Sequence, residues 1–211
     1  MEIYAHTGGP VDTNGYLVVD EATRQAVVID APEGAARAFL ERVERDGLRV
    51  LRLVLTHGHW DHIMDALYFR RAFQCPITIH PGDAPMLQIP QTELFALPFS
   101  IPPFAADEFL EDEETLAVGE LGLQVIPTPG HSPGGICLHE PGRQVLFAGD
   151  TLFAGSYGRL DLPGSDADAM SASLARLAAL PPETTVYSGH GPPTTIAAEL
   201  GWLQRVKVKS S

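Results

Sequence analysis

Thr56-His57-Gly58-His59-Trp60-Asp61-His62 places three imidazoles and a carboxylate within six consecutive residues, from His57 to His62. The stretch follows the apolar run Leu51-Arg52-Leu53-Val54-Leu55, which reads as a buried strand. A core strand that ends in a dense set of nitrogen and oxygen donors describes a metal site at a strand end. Neutral imidazole and carboxylate suit zinc, and also iron or manganese. A histidine-rich surface loop is the plainer explanation, but an aspartate interleaved directly after a core strand argues against it.

Upstream of this stretch, residues 14–19 and 26–29 read as paired strands joined through the polar turn Asp20-Glu21-Ala22-Thr23. Asp30-Ala31-Pro32-Glu33 reads as a strand exit into a helix with Ala36, Phe39, Leu40 and Val43 on one face and Gly47 as its stop. Downstream, residues 63–73 read as one helix, with Ile63, Ala66, Leu67 and Phe73 on one side and His62 at its start. Residues 76–80 make a short strand. Residues 88–106 are rich in Pro and Phe without a period, and read as an ordered loop that either covers a site or packs its aromatics as a surface connector.

The second half repeats the strand-and-donor arrangement. Strand 121–126 is followed by Thr128-Pro129-Gly130-His131-Ser132-Pro133-Gly134-Gly135, strand 144–148 by Gly149-Asp150-Thr151, and strand 185–187 by Ser188-Gly189-His190-Gly191. A helix carrying Met170, Leu174, Leu177 and Ala178, capped near Ser165 or Asp166, lies between the last two strands. If these strands share a sheet edge with residues 51–55, then His57, His59, Asp61, His62, His131, Asp150 and His190 converge there. Five of the eight histidines belong to this set; His6, His80 and His139 read as structural or surface residues.

Seven donors exceed the four or so that one tetrahedral ion takes, and suit two ions about 3.5–4 Å apart. Spacing supplies a partition. His57 and His59 point the same way from an extended loop and His131 completes their side. Asp61 and His62, around the turn, form the second side with His190, and Asp150 remains as the bridge.

The 211 residues fit one domain, and 45% hydrophobic residues allow a sizeable core. A formal net charge of −13 without clustered Lys and Arg argues against nucleic acid as a partner. An anionic small molecule stays open, because bound cations reverse the local field. Cys75 and Cys137 make neither a disulfide framework nor a thiolate zinc cluster and read as buried hydrophobes. The N-terminus shows no signal-peptide pattern and no apolar run reaches the ~20 residues that span a bilayer, so no membrane role and a cytoplasmic location are expected.

The chain resembles the metallo-β-lactamase-fold superfamily. His57-Gly58-His59-Trp60-Asp61-His62 matches its HxHxDH signature, and Gly130-His131-Ser132, Gly149-Asp150 and Gly189-His190-Gly191 match its later histidine, bridging aspartate and final histidine. The motif-bearing match runs from about residue 14 to 195. It implies an α/β fold, an αββα sandwich as one domain over 1–211 with no separate C-terminal helical domain, and a dinuclear site with the same ligand partition. Within the superfamily the chain is most similar to the short glyoxalase II-like members, through the segment from Gly149 to Asp161. Relatives there place a basic residue matching Arg159 near the carboxylate of the thiol moiety, a task that a guanidinium fits. An ion pair of Arg159 with Asp161 or Asp168 is the plainer role.

The implied chemistry is hydrolysis of a small thioester, of the hydroxyacyl-glutathione type or one built on another low-molecular-weight thiol. Two divalent cations, zinc first and iron or manganese as alternatives, lower the pKa of a bridging water toward ~7. The hydroxide attacks the carbonyl, with Asp61 orienting it. Trp60 either walls the pocket or packs under the motif loop, and Tyr157 is a candidate substrate contact. The same branch includes persulfide dioxygenases, which hold a single iron through residues matching His57, His131 and Asp150. Lactonases and β-lactamases rank below these. The sequence leaves the oligomeric state open.

Overall fold

The computed structural model describes residues 1–92 and 94–205; residues 206–211, which the one-domain expectation over 1–211 includes, lie outside the described residues. Strands β1 (Glu2–Gly8), β2 (Thr13–Asp20) and β3 (Gln25–Ile29) form an antiparallel meander. Helix α1 (Ala35–Asp46) then crosses over to β4 (Arg49–Leu55), which runs parallel to β3. Two short helices, α2 (Trp60–Ile63) and α3 (Ala66–Phe73), lead to β5 (Ile77–Ile79). Helix α4 (Ala84–Gln88) and the Pro- and Phe-rich loop lead to β6 (Glu108–Phe109), which completes a six-stranded sheet in the order β1-β2-β3-β4-β5-β6.

The second sheet begins with three antiparallel strands, β7 (Thr115–Val118), β8 (Leu121–Pro127) and β9 (Ile136–Glu140). It continues with β10 (Val145–Gly149), helix α5 (Ala167–Leu177), β11 (Thr185–Ser188), β12 (Thr194–Thr195) and helix α6 (Ile196–Leu203). Its order is β12-β11-β10-β9-β8-β7.

The layers follow from the period-2 alternation of strands that are buried on both faces. Along β2, Tyr16 and Val18 point between the sheets, against Leu123, Val125, Leu138 and Phe147. Leu17 and Val19 point outward, into the layer that packs under α1 and α3 with Phe39, Leu53 and Phe69. On the far side, Leu146, Ala148 and Val186 meet Met170, Leu174 and Leu177 of α5 and Leu203 of α6. The result is an αββα sandwich, as the resemblance implied. Each large side chain fully buried in these layers stabilises the fold by roughly 1.5–3 kcal/mol.

Two expectations are corrected. The helix over 63–73 is broken after Ile63, so His62 lies inside the short α2 rather than at the start of a long helix. Asp65 is the cause: its amide donates to the Ala31 carbonyl (2.9 Å) and its carboxylate accepts from the Ala36 amide (3.1 Å), bonds that a continuous helix would forgo. The donor-bearing strands also do not share one sheet. β4 belongs to the first sheet and β8, β10 and β11 to the second. The donors meet because both sheets end at the same rim, where Ile136 donates to Thr56 (3.0 Å) and Asn14 to Gly189 (2.7 Å).

Candidate metal centre

All seven predicted donors come together at that rim. Three sets of side chains bring their donor atoms within 4.8 Å of one another: His57, His59 and His131; His57, His62 and Asp150; and Asp61, His62 and His190. The first and third are the two sides that spacing suggested, and Asp150 stands between them. Its carboxylate lies 3.3 Å from His62 Nε2, 3.4 Å from His131 Nε2 and 3.4 Å from His190 Nε2. Asp61 Oδ2 lies 3.3 Å from both His62 Nε2 and His190 Nε2.

Four of the five imidazoles are held by Nδ1. His57 Nδ1 lies 3.0 Å from Thr56 Oγ1, whose own proton goes to Asp30 (2.8 Å). His62 Nδ1 donates to Asp30 (2.8 Å), His131 Nδ1 to the Arg159 carbonyl (2.8 Å) and His190 Nδ1 to the Val11 carbonyl (3.1 Å). Each of these bonds keeps a proton on Nδ1, so that the neutral imidazole turns its Nε2 lone pair inward, the arrangement expected around metal-binding histidines. His57 Nε2, His62 Nε2, both nitrogens of His59 and Asp150 Oδ1 are buried without a hydrogen-bond partner. An unpaired buried polar atom costs roughly 1–3 kcal/mol, and a shared cation removes that cost. The residues therefore fit a divalent-metal centre.

The protein groups divide electrostatically. Burial, with the neighbouring His62 second, holds His57 well below the ordinary imidazole range, and burial with His131 takes His59 down to about 3. His62 and His190 behave oppositely. Burial opposes their charge, but Asp61, Asp30 and Asp150 outweigh it at His62, and Asp150 with Asp61 raise His190 to about 10. Asp61 and Asp150 are held below the ordinary carboxylate range, because His62 and His190 outweigh the effect of burial.

The centre opens into a cleft of about 390 Å³. Val11, Trp60, Phe95 and Phe153 give it an apolar wall, with Tyr157 and Arg159 beside them. Trp60 is 4% exposed; it lines the cleft and packs against Phe95 (5.9 Å) and Phe99 (6.0 Å) of the Pro- and Phe-rich loop. The Pro- and Phe-rich loop likewise serves two ends, since Phe95 walls the cleft while Ile101 and Phe104 sink into the core. Arg159 lies on the rim, its Nε and Nη2 each 2.6 Å from the carboxylate of Asp161, with both side chains exposed. Tyr157 packs on Trp202 at 6.2 Å.

Sequence reasoning missed the residues that hold the donors. Asp30 takes three bonds, from the Thr56 amide (2.8 Å), the Thr56 hydroxyl (2.8 Å) and His62. It does so at φ 61°, a left-handed conformation that aspartate tolerates better than most residues. Thr13 donates to Asp61 (2.7 Å). A signal for Asp30 was present: it closes an apolar strand just as Asp150 does. His6 and His80 are structural as expected, contacting the Glu33 carbonyl and Asp112, and His139 is buried in β9. Cys75 and Cys137 are free and buried, and burial pushes both thiols up to about 11.

The model of the metallo-beta-lactamase superfamily matches residues 8–190. A hydroxyacylglutathione hydrolase of Rhizobium etli is 38% identical over 180 residues, which cover 85% of this chain but 62% of that longer protein. The solved structure of the BLEG-1 B3 metallo-beta-lactamase superposes with a TM-score of 0.86 at 36% identity, over 95% of this chain and 97% of that one. The structure of TTHA1623 in a di-iron-bound form gives a TM-score of 0.82 at 37% identity, over 93% and 96%.

Proposed function

The chain belongs to the metallo-beta-lactamase superfamily, and on that premise we propose that it is a dinuclear metal-dependent hydrolase of small thioesters, of the hydroxyacyl-glutathione type. The observation that carries the reading is the overlap of three donor sets through His57, His62 and Asp150, at the floor of a cleft with an apolar wall and an arginine on its rim. The first set, His57, His59 and His131, would hold one ion. Asp61, His62 and His190 would hold the other, with Asp150 shared. Likeness to a protein solved with two irons supports a pair of ions and makes iron a candidate beside zinc and manganese.

Bound divalent cations supply Lewis-acid polarisation of a carbonyl and bring the pKa of a water toward ~7. The chain's own residues do the rest. The Nδ1 anchors of His57, His62, His131 and His190 keep the donors from reorienting as charge develops on the substrate. Thr13 holds Asp61 Oδ2 at 2.7 Å, the oxygen that also faces His62 and His190, and so fixes the carboxylate that would orient the nucleophile. Trp60, Phe95 and Phe153 keep bulk water from the acyl side. Arg159 turns from Asp161 to a carboxylate of the thiol moiety, an exchange that costs little because exposed ion pairs are worth ~0–1 kcal/mol.

The leaving group separates this reading from the next. A thiolate, whose thiol has a pKa near ~8.5, departs without a proton, whereas an amide nitrogen would leave as a far more basic anion and must be protonated as its bond to carbon breaks. Hydrolysis of a β-lactam is the second reading, supported by likeness to the BLEG-1 enzyme over nearly its full length. A panel of S-D-lactoylglutathione, acyl-coenzyme A esters and a chromogenic cephalosporin tests both. Thiol release at least about tenfold faster, in kcat/KM, than cephalosporin opening supports the thioesterase, and the reverse order replaces it. Oxygen consumption with glutathione persulfide, at one iron per chain, would replace both with the dioxygenase.

A further inference from the structure

We propose that Asp83 is a positioning residue that fixes the separation between the loops carrying His57, His59 and His131, and so sets how tightly that set holds a cation. The inference rests on reading those histidines as metal ligands. Asp83 is fully buried and stands immediately before α4. An aspartate there ordinarily turns back to accept from its own helix. This one makes no such cap bond. Its Oδ2 accepts from the Gly58 amide (2.9 Å) and its Oδ1 from the Gly134 amide (2.5 Å).

Gly58 separates His57 from His59, and Gly134 follows His131 by three residues. The two loops leave different sheets, so one carboxylate ties the halves of a single donor set together across the sandwich. The backbones leave no slack. A Cβ on Gly58 would lie 2.7 Å from Met86 Cβ, and one on Gly134 would lie 2.4 Å from the Asp83 amide nitrogen. The other nearby link, from Ile136 to the Thr56 carbonyl, precedes His57 and leaves Gly58 onward to Asp83. Asp61, His62 and His190 are anchored instead through Thr13, Asp30 and Val11. Loosening Asp83 therefore disturbs the first donor set and spares the second.

The test titrates metal-free full-length chains with cobalt(II), following visible absorption and bound ions per chain. His59→Ala and His190→Ala give the reference losses for each position. Asp83→Asn puts an amide donor against a backbone amide, and Asp83→Ser cannot reach both. Both variants are expected to weaken one ion by about 10–100-fold, the usual effect of removing an outer partner of a metal ligand. The lost absorption should be that missing in His59→Ala, with the ion lost in His190→Ala unchanged. Loss of the other ion, equal loss of both, or wild-type binding of both overturns the proposal. If neither variant folds, amide exchange in the metal-free wild type decides. Protected Gly58 and Gly134 amides support the role, and exchange at the rate of open loops overturns it. Wild-type chain that takes up no cation removes the ligand reading itself, and Asp83's role with it.

Discussion

The floor and the wall of the cleft are built on opposite principles. On the floor, donors from four loops of two sheets are buried or half-buried, and four imidazoles are each held by a hydrogen bond to their outer nitrogen. On the wall, Val11 is 46% exposed, Arg159 is paired to a neighbour in its own loop, and Tyr157 leans on a tryptophan of the last helix. The floor is over-determined and the wall is adjustable. A reaction class is therefore written into the first and a substrate choice into the second, which is why relatives of one fold differ in what they act on.

The contrast can be broken most decisively at the floor. Replacing Asp150 by Ala should lower activity by well over the 10–100-fold that outer partners cost, and reduce bound metal. Steady-state kinetics with metal analysis checks this; near-normal turnover with full metal would remove Asp150 from the centre. Asp30→Ala comes next. Three bonds to the donor loop are lost, so metal affinity should fall about 10–100-fold and Tm should drop, measured by titration and calorimetry. On the wall, Arg159→Ala should raise KM for an anionic thioester roughly tenfold, about 1.4 kcal/mol, with kcat and metal content unchanged. A drop in kcat with lost metal would instead assign Arg159 to the floor, through the carbonyl that anchors His131.

A smaller effect concerns pH. His190, raised to about 10 by Asp150 and Asp61 against burial, and His62, raised likewise by its carboxylates, stabilise the metal-free fold below the unfolded value of ~6.5. That stability is lost as pH rises through their folded values. His57 and His59, held low by burial, act in the opposite direction and cost stability as pH falls below ~6.5. Asp61 and Asp150 contribute stability above ~3.9 that is lost on acidification. The Tm of the metal-free protein should peak near neutrality and fall toward pH 10. With cations holding the imidazoles the alkaline decline from these groups should vanish. Thermal scans of both forms across pH 5–10 check it, and a metal-free Tm that climbs to pH 10 would contradict the electrostatic division of the floor.

The same contrast explains what could be read from sequence. The donors were legible because short motifs at strand ends carry them, and because alternation of apolar residues marks the strands that deliver them. The two-sheet arrangement of those strands was not, since strand-end motifs look alike whichever sheet holds them. Asp30 and Thr13 were passed over because each acts through a partner at least 26 residues away, and a lone polar residue carries no local spacing signal. The break between α2 and α3 was hidden for the same reason: the bonds of Asp65 run to Ala31 and Ala36, outside the window in which a helix is judged. The wall was only partly legible: Trp60, Tyr157 and Arg159 sit in or near the motifs, whereas Val11, Phe95 and Phe153 join them only in three dimensions.

The proposed centre holds two ions through one set of seven donors. Its most direct test is metal content per chain in protein purified without added metal or chelator, for wild type, His59→Ala and His190→Ala. About two ions in the wild type and about one in each variant is the predicted result. A single iron per chain in the wild type, kept by both variants, would contradict it.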